Sequence, residues 1–455
     1  MMNYVIKNKI YFIIRCVFIA LCMYVPFSLF AINFTDVPES AGVRAKLVDT
    51  WFTKDIHALS SATSEFISND INEEFLVRSE IEETETKIIV SPCVKMKAKI
   101  LGESSNQTVM YDTWPSDAPG AWILYRNTQT GKPVRIRIYF QNNPEVYFQI
   151  MPKDDRSSAE LIIFGTKAIK NVTLGIPIEK FYTLSLTDFY SISKKLLPWR
   201  YVLIPQGMYN GNIQMVGVIR ELIPTFVQVE DAAYNEVGEP VWISTGLKRE
   251  NIDKKTISIS SMGFLKWIAD GLIEPLTGSN CYIKPLFTPT LNPVPGSLAS
   301  VSLENKDLYK SLNWTRNLAV AVASARSRNS LLRFANSGAG VTKLEMPDCP
   351  HIPNVGYPIE KLPALLSVLA VTEPDLFFFA AICEKVPSDK ELHQFEKGAA
   401  IFPYYSTDNK FKVVVFENGV EYTLNQFMQK YPNTFIELVR VKASVKFSPL
   451  SNVTE

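Results

Sequence analysis

Short apolar segments separated by turn residues dominate the chain between positions 75 and 174. Around position 135, Arg135 and Arg137 alternate with β-branched residues, a period of two that is typical of a strand with one solvent-facing side. The segments of this kind are Lys87–Val90, Thr108–Tyr111, Trp122–Tyr125, Val134–Phe140, Val146–Ile150 and Glu160–Phe164. We therefore predict an antiparallel, β-rich N-terminal domain over residues 75–205.

The segment before this domain, residues 32–74, has a helical period instead. Val43, Leu47 and Trp51 recur every four residues, so they share one face of a helix. Pro38 and Ser40 mark its start. An apolar stripe of this kind is suited to docking, and we predict an N-terminal helical segment.

Residues 206–448 combine helical and strand patterns. A helix is predicted from about Ser260 to Leu272, because Phe264, Trp267 and Ile268 lie on one apolar stripe. Further helices are predicted at Leu308–Ala325, Pro363–Leu369 and Thr423–Lys430, and strands at Tyr201–Ile204, Leu376–Ile382, Ala399–Phe402, Phe411–Phe416 and Phe435–Val441. Short strands and loops are expected up to position 245, and a long loop over 287–305. Helices leading into an antiparallel sheet predict an α+β domain.

The first thirty residues differ from the rest of the chain. Three basic residues precede an apolar run, Cys16–Phe30, and Ala31 offers a small residue for cleavage. This is the pattern of a secretory signal peptide over residues 1–31. The run contains Pro26 and is shorter than the ~20 residues of a spanning helix, although an uncleaved anchor is the alternative. We expect an exported protein, periplasmic or extracellular, that is not integral to the membrane after cleavage.

Charge and cysteine content exclude several classes of function. The 47 basic and 46 acidic residues give a net charge of +1, which does not favour a nucleic-acid-binding protein. Four cysteines follow the predicted signal peptide: Cys93, Cys281, Cys349 and Cys383. Three disulfide pairings and buried free thiols all remain open for them. The chain has no Cys-x-x-Cys and its three histidines, at 57, 351 and 393, lie far apart, so no metal site and no cofactor are predicted.

One short motif resembles a known family. Residues 261–265, Ser-Met-Gly-Phe-Leu, are similar to the nucleophile box Cys-Ser-Gly-Phe-Val of the NlpC/P60 family of papain-like cysteine peptidases and amidases. That family has a histidine at the start of a strand of the following sheet, in the sequence His-Val-Gly-Ile-Tyr. Residues 398–402, Gly-Ala-Ala-Ile-Phe, stand at the comparable place. The resemblance covers roughly Thr245 to Val445 and implies a papain-like fold for this part of the chain.

The resemblance implies a site that has lost its chemistry. In the family, a helix N-terminus lowers the pKa of the thiol and a neighbouring imidazole accepts its proton. Here Ser261 stands at the cysteine position, Gly398 stands at the histidine position, and His393 lies five residues earlier. A serine without a well-placed base is a poor nucleophile. Ser261 and His393 are therefore the candidate catalytic residues of an inactive site, and Ser260 and Trp267 the candidate binding residues.

Three other groups could carry chemistry. Cys349 and His351 place a thiol beside an imidazole, but within a proline-rich loop. Glu373 and Asp375 could form a pair of carboxylates like that of a glycosidase, although acids in a turn before a strand are usually only solvated. The alternating arginines of the β-rich domain are interpreted as its solvated face.

Three functional hypotheses follow. The preferred one is an exported, envelope-associated protein whose non-catalytic NlpC/P60-like domain binds cell-wall peptide or an envelope protein. The second is an active hydrolase of peptide or amide bonds, with Ser261 as nucleophile and His393 as base. The third is a structural or adhesive exported protein unrelated to that family.

Overall fold

The computed structural model describes residues 34, 37–101, 106–253, 255–290, 310–353, 355–386 and 389–451. The predicted signal peptide and most of the predicted loop at 287–305 lie outside these residues. The described chain is of the α+β class, with a large antiparallel sheet in its N-terminal part, followed by helices and further sheets. The predicted fold class is confirmed at this level.

The N-terminal sheet contains eight strands, and each is antiparallel to its neighbours. They are β1 (Glu65–Ser68), β2 (Glu74–Ile81), β3 (Glu85–Pro92), β6 (Trp122–Asn127), β7 (Pro133–Tyr139), β8 (Val146–Lys153), β9 (Arg156–Ile163) and β10 (Thr166–Leu174), adjacent in that order. Two more strands, β4 (Val94–Leu101) and β5 (Asn106–Thr113), form a separate two-stranded ribbon. Each of the six predicted strand segments overlaps one of β3 and β5 to β9, and these strands extend up to four residues beyond the predicted bounds.

Alternation along these strands separates an inner from an outer face. Ile136 and Ile138 of β7 are buried in the main core, whereas Arg135 and Arg137 lie on the opposite, partly exposed face. Successive side chains of a strand point to opposite sides, so this result follows directly from the period of two. The sequence pattern thus predicted both the strand and its orientation.

The N-terminal segment docks on the inner face, as its apolar stripe predicted. Helix α1 (Ala41–Leu47) continues into one π-helical turn (Val48–Phe52), and α2 (Ile56–Leu59) follows. Val43, Leu47 and Trp51 are all buried in the main core. The stripe therefore contributes apolar area to the core, at about 25 cal/mol per Å² buried.

Two predictions fail in the connection between the sheets. The predicted strand at Tyr201–Ile204 is wrong, since the chain forms a 3-10 turn at Trp199–Tyr201. Both aromatic side chains are buried, so the apolar run fills the core without pairing as a strand. The segment before it contains α3 (Leu186–Ser193).

Helix α4 (Asn210–Leu222) was missed, because only short strands and loops were predicted there. Its buried positions are Asn212, Met215, Val216 and Ile219, a regular helical spacing. Gly211 and Gly217 each disfavour a helix by about 1 kcal/mol relative to alanine. Their presence weakens the helical signal of this segment in the sequence. Four short strands follow: β11 (Phe226–Gln228), β12 (Ala232–Tyr234), β13 (Pro240–Trp242) and β14 (Ile257–Ile259), with β11 parallel to β14 and β12 antiparallel to β13.

The C-terminal sheet contains six strands in the order β15 (Tyr357–Pro358), β20 (Phe435–Lys442), β16 (Leu376–Val386), β17 (Asp389–Tyr405), β18 (Phe411–Glu417) and β19 (Val420–Thr423). The accompanying helices are α5 (Ser261–Thr277), α6 (Lys310–Ser327), α7 (Phe334–Ser337), α8 (Leu362–Thr372) and α9 (Leu424–Lys430). All predicted helices and strands after position 260 are confirmed within the described residues, which begin at Lys310 for the helix predicted from Leu308. The hydroxyl of Thr423 caps α9 in a capping box with Gln426.

Helix α5 is the central element of the second half. Every residue from Gly263 to Ile273 is buried, so the helix is enclosed on all sides and not only along its apolar stripe. Its interior includes an ion pair one turn apart, in which the Lys266 ammonium lies 2.7 Å from the Asp270 carboxylate. The second Asp270 oxygen accepts the backbone N–H of Cys281 at 2.9 Å. Pairing of this kind offsets the large cost of burying two charges.

The two sheets share one apolar core, so the predicted boundary near position 205 does not separate two cores. The main cluster contains inner-face residues of the N-terminal sheet together with residues of α8 and of β16 to β18. Phe164 after β9 packs against Phe411 of β18, with ring centroids 5.8 Å apart. The buried Tyr405 hydroxyl donates to Gln141 at 3.0 Å. Contacts of this kind join the halves into one folded unit.

Replacing Gly263 with alanine is expected to destabilise the protein by about 3 kcal/mol, at the upper end of the cost of overpacking. A Cβ at this position would lie 2.1 Å from the Ala232 carbonyl oxygen, and backbone cannot move aside cheaply. Urea unfolding followed by circular dichroism measures the change. Gly217→Ala is the matched control, because its Cβ meets nothing within 4 Å and the helix should gain about 0.5–1 kcal/mol. Equal effects of the two substitutions would contradict the close approach at Gly263.

Candidate functional site

The start of α5 is held by a buried serine. The Ser260 hydroxyl accepts the backbone N–H of Gly263 at 3.1 Å and donates to the Ala232 carbonyl at 3.0 Å. The first bond caps the helix, as serine at this position is expected to do. Ser260 is 9% exposed, and its hydroxyl is fully used. The structure gives it a capping role and little surface with which to contact a ligand.

Ser261 is the first residue of the helix and is half-buried. Within the described part of the chain, no hydrogen-bond partner is found for its hydroxyl. It therefore presents an available hydroxyl at a helix N-terminus, where the helix dipole favours negative charge. This placement would suit a nucleophile if a base were present.

Gly398 of β17 lies against the first turns of the same helix. A Cβ built on Gly398 would be 2.6 Å from Cδ1 of Leu265 and 3.5 Å from Cε of Met262. The two sequence positions singled out by the motif, 137 residues apart, are thus brought together by the fold. Gly398 carries no side chain, so it contributes contact but no chemistry.

His393 occupies a different part of β17. Its backbone pairs with Lys385 in the β16–β17 hairpin, and its side chain is outside the described part of the structure. Five residues of strand separate it from Gly398, roughly 16 Å at about 3.3 Å per residue. The backbone geometry therefore places Gly398, and not His393, beside the start of α5.

Trp267 is a core residue and not a binding surface. It is 2% exposed, its indole N–H donates to the Leu450 carbonyl at 2.8 Å, and its ring stacks on Phe264 at 5.9 Å. Phe226 and Phe447 pack edge-on against the same indole. The interpretation of Trp267 as a ligand-binding residue is therefore corrected: an enclosed ring cannot reach a ligand without unfolding its surroundings.

An open cavity of about 660 Å³ lies at the segment that follows α5. It is lined by Tyr282, Lys284, Pro285, Phe287 and Thr288. Phe287 packs on Trp314 at 5.4 Å, and the Trp314 indole donates to the Met262 carbonyl at 2.8 Å. One aromatic layer thus separates the cavity from the first turn of α5. An exposed tyrosine, an apolar floor and one cation are suited to binding a peptide-like ligand.

A buried cluster of Glu437, Arg316 and His351 was missed from sequence. Glu437 of β20 is 1% exposed, and its two oxygens accept from Arg316 at 2.7 Å and His351 at 2.8 Å. Burial raises the pKa of Glu437, but the hydrogen bond from His351 and the charge of Arg316 outweigh it, so the pKa falls below its ordinary value. These residues come from α6, a loop and β20, and only the folded chain brings them together.

This cluster is better suited to stability than to catalysis. Glu437 orients His351 as the acid of a triad would, but the nearby thiol is unsuitable as a nucleophile. Cys349 is 1% exposed, and burial raises its pKa to about 11, so the thiolate is scarce at neutral pH. The motif at 349–351 identified the histidine, whereas its carboxylate partner lies 86 residues away in sequence.

The remaining candidates are occupied by structural contacts. Glu373 forms a bidentate ion pair with Arg440 at 2.6 and 2.8 Å, and Asp375 pairs with Lys442 at 2.9 Å.

The four cysteines after the predicted signal peptide are free thiols. Among the residues that the structure describes, no group of three or more histidine, cysteine or acidic side chains is arranged to hold a metal ion. None of the helices in these same residues has the length and apolar composition needed to cross a bilayer.

Comparison with known families adds one finding. Residues 33–201 match a family described as a domain of unknown function (DUF8515). The match spans the docked N-terminal helices and the N-terminal sheet, and it ends where the 3-10 turn at Trp199–Tyr201 ends. No curated protein and no solved structure matches the chain.

Replacing Glu437 with glutamine is expected to cost about 3 kcal/mol or more, because Arg316 would remain buried without its counter-charge. The folded-state pKa of Glu437 lies below the ordinary 4.5, so its stabilisation is present above pH 4.5 and is lost as the pH falls through the lowered value. Urea unfolding at several pH values between 7 and 3 measures both effects. The variant should lose less stability than the wild type on acidification. Glu345→Gln is the control, because Glu345 is 82% exposed in its pair with Arg200; a similar loss there would contradict the assignment.

Ser261→Cys should react readily with a thiol-specific reagent, because the side chain is accessible and the helix N-terminus lowers the pKa of a thiol. Ser260→Cys should react at least roughly tenfold more slowly, since position 260 is enclosed. Mass spectrometry of intact protein over time gives both rates. A Cys93→Ala background removes the one partly exposed thiol among the four described cysteines. Equal rates at 260 and 261 would contradict the assignment of Ser261 as the available side chain.

Proposed function

We propose that this is an exported, envelope-associated protein whose second half is a non-catalytic relative of the NlpC/P60 family. In this proposal the start of α5 and the adjoining cavity are retained for binding, and the ligand is cell-wall peptide or an envelope protein. The papain-like relationship is part of the proposal. The observation that carries it is the contact of Gly398 with Met262 and Leu265 on the helix that begins at Ser261.

The order and packing of the elements support the relationship. A buried helix that begins at the nucleophile position is followed by a second helix and then by an antiparallel sheet, as the motif implied. The strand position that holds histidine in the family faces this helix, although the two are far apart in sequence. A chance match of five residues would give no reason for this meeting.

The distribution of imidazoles supports a non-catalytic role. The chain has three histidines. His57 lies in α2 of the N-terminal segment, His351 is bound to Glu437, and His393 is roughly 16 Å along the strand from Gly398. Lys266, the nearest lysine along α5, is held in a buried ion pair. Ser261 therefore has no base of suitable geometry among the described side chains, and a serine hydroxyl without one is a poor nucleophile.

The binding role rests on the cavity. Tyr282 is 62% exposed beside Lys284, and Phe287 forms an apolar contact surface between them and Trp314. Exposed tyrosine with a neighbouring cation is a frequent composition of protein and peptide interfaces. Such a surface can contact peptide carbonyl and carboxylate groups and the apolar parts of side chains.

The proposal predicts binding without hydrolysis. Protein beginning at residue 32 is incubated with purified cell-wall sacculi, and bound protein is measured by sedimentation while released fragments are measured by chromatography. We expect binding and no release of fragments. Ser261→Ala should change neither, whereas Tyr282→Ala should weaken binding about tenfold, the effect of losing a well-placed interface tyrosine. Tyr111→Ala is the matched control, because Tyr111 is also exposed but lies on the β4–β5 ribbon.

Other outcomes identify the alternatives. Release of fragments that Ser261→Ala abolishes would replace the proposal with the hydrolase. Absence of both binding and release would favour the structural or adhesive protein. Binding that Tyr282→Ala leaves unchanged would remove the cavity from the proposal.

A further inference from the structure

The outer face of the N-terminal sheet carries a compact cluster of aromatic and arginine side chains. Tyr125 of β6 and Tyr139 of β7 are buried at 4% and 5% exposure, with Ile89, Ala121 and Ile123 as neighbours. Tyr147 of β8 pairs with Tyr139 across the strands, with ring centroids 5.4 Å apart. The rings form an apolar floor, on which two arginines are placed.

The first arginine is neutralised within the chain. Arg135 lies 4.0 Å above the Tyr125 ring. Its guanidinium makes a bidentate ion pair with Glu85, with N–O distances of 2.5 and 2.6 Å. The charge of Arg135 and its two terminal amino groups are therefore already paired within the chain.

The second arginine has no such partner. Arg137 lies 4.5 Å above Tyr147 and 5.1 Å above Tyr125, and its Nε donates to Gln149 at 3.3 Å. In the described part of the chain, no carboxylate lies within ion-pair distance of Arg137, and no carbonyl accepts from its terminal amino groups. The side chain is half-buried, so part of it remains open to solvent, and these contacts hold it in place.

Other enclosed arginines show how this chain treats the same side chain when its role is structural. Arg44 donates to the carbonyls of Phe181 and Leu184 at 2.7 Å, and Arg440 is paired with Glu373. Each has its fork filled by acceptors from the protein. Arg137 is likewise held in place, by two rings, Gln149 and the Tyr139 hydroxyl, but within the described chain no carboxylate or backbone carbonyl accepts from its terminal amino groups.

We propose that Arg137, with Tyr139, Tyr147 and Gln149, forms a binding site for the carboxylate of an acidic peptide on the outer face of the N-terminal sheet. The planar guanidinium matches a carboxylate in a bidentate geometry. Stacking on two rings and the bond to Gln149 hold its plane, so little side-chain entropy is lost on binding. The site is separate from α5 and does not rest on the proposed function.

The surrounding charges favour an anion. Arg135 is balanced by Glu85, and the buried Glu160 on β9 is paired with Lys167 at 2.8 Å, which leaves the Arg137 charge uncompensated. The Tyr139 hydroxyl lies beside Arg137, and burial raises its pKa to about 12. It is therefore protonated at neutral pH, and its hydrogen bond with the Arg137 side chain helps to hold the guanidinium in place. Tyrosine and arginine in this combination are also the residues that most often anchor interfaces.

Two peptides of equal length test the site and identify the source of the carboxylate. One has several internal glutamates and an amidated C-terminus, and the other has no acidic side chain and a free C-terminal carboxylate. Binding to protein beginning at residue 32 is measured by isothermal titration calorimetry at low salt. We expect at least one peptide to bind, and Arg137→Gln to weaken that binding about tenfold or more, as loss of a charge-assisted bidentate contact should.

Two variants separate recognition from charge and from folding. Arg137→Lys keeps the charge but not the planar fork, so it should restore only part of the affinity. Arg156→Gln, which removes an exposed arginine elsewhere on the same sheet, should leave binding unchanged. Unchanged urea unfolding of Arg137→Gln would show that the loss is local.

Three results would overturn the proposal. Neither peptide binding is the first, and equal binding by Arg137→Gln and wild type is the second. The third is an equal loss with Arg156→Gln, which would indicate attraction by net charge alone. Tyr282→Ala should have no effect on this binding, so failure here is distinguishable from failure of the cavity.

Discussion

The close packing of α5 is the constraint on which the second half of the molecule depends. Three of its contacts are made where a glycine stands: Gly263 against the Ala232 carbonyl, Gly271 against the C-terminal segment at Phe447, and Gly398 against Leu265. A side chain at any of them would lie within 2.6 Å of a neighbouring atom. Protein interiors are as closely packed as crystals of small organic molecules. Contacts this close therefore fix α5 in a single position relative to the C-terminal sheet. That position carries Ser261 to the surface beside the sheet.

The same packing bears on the loss of chemistry under the proposed relationship. An imidazole at position 398 would need the space that Cδ1 of Leu265 occupies. Under this relationship, an apolar contact therefore stands where the family has its base. Restoring a histidine would require Leu265 to be repacked as well. A coupled change of this kind is consistent with a fold that is retained for stability and binding after catalysis is lost, because cavities and overpacking in a core are both costly.

Several of the charged groups in the core follow a common rule, which is that they have an ionic partner. Buried ionic groups are matched by partners from distant parts of the chain or from the next helical turn, as in Arg316 with Glu437 and Lys266 with Asp270. An unmatched buried charge would cost several kcal/mol, which accounts for these pairs. Arg137 departs from the rule at the surface, where an open guanidinium costs little and a ligand can complete it. The difference between structural and recognition arginines is therefore visible in their partners and not in their sequence context.

The sequence by itself determined what depends on neighbours in the chain: the period of two that defines β7, the apolar stripe that docks α1, and the caps of α5 and α9 at Ser260 and Thr423. These features rest on side-chain direction and on hydrogen bonds within a few residues. The sequence did not reveal helix α4, the enclosure of Trp267 or the partners of Glu437. Only the tertiary structure decided those, because packing density and charge pairing arise between segments that the chain path brings together. The contact of Gly398 with α5 and the lack of an ionic partner for Arg137 within the described chain were also decided only by the tertiary structure, because they too depend on segments that are distant in sequence.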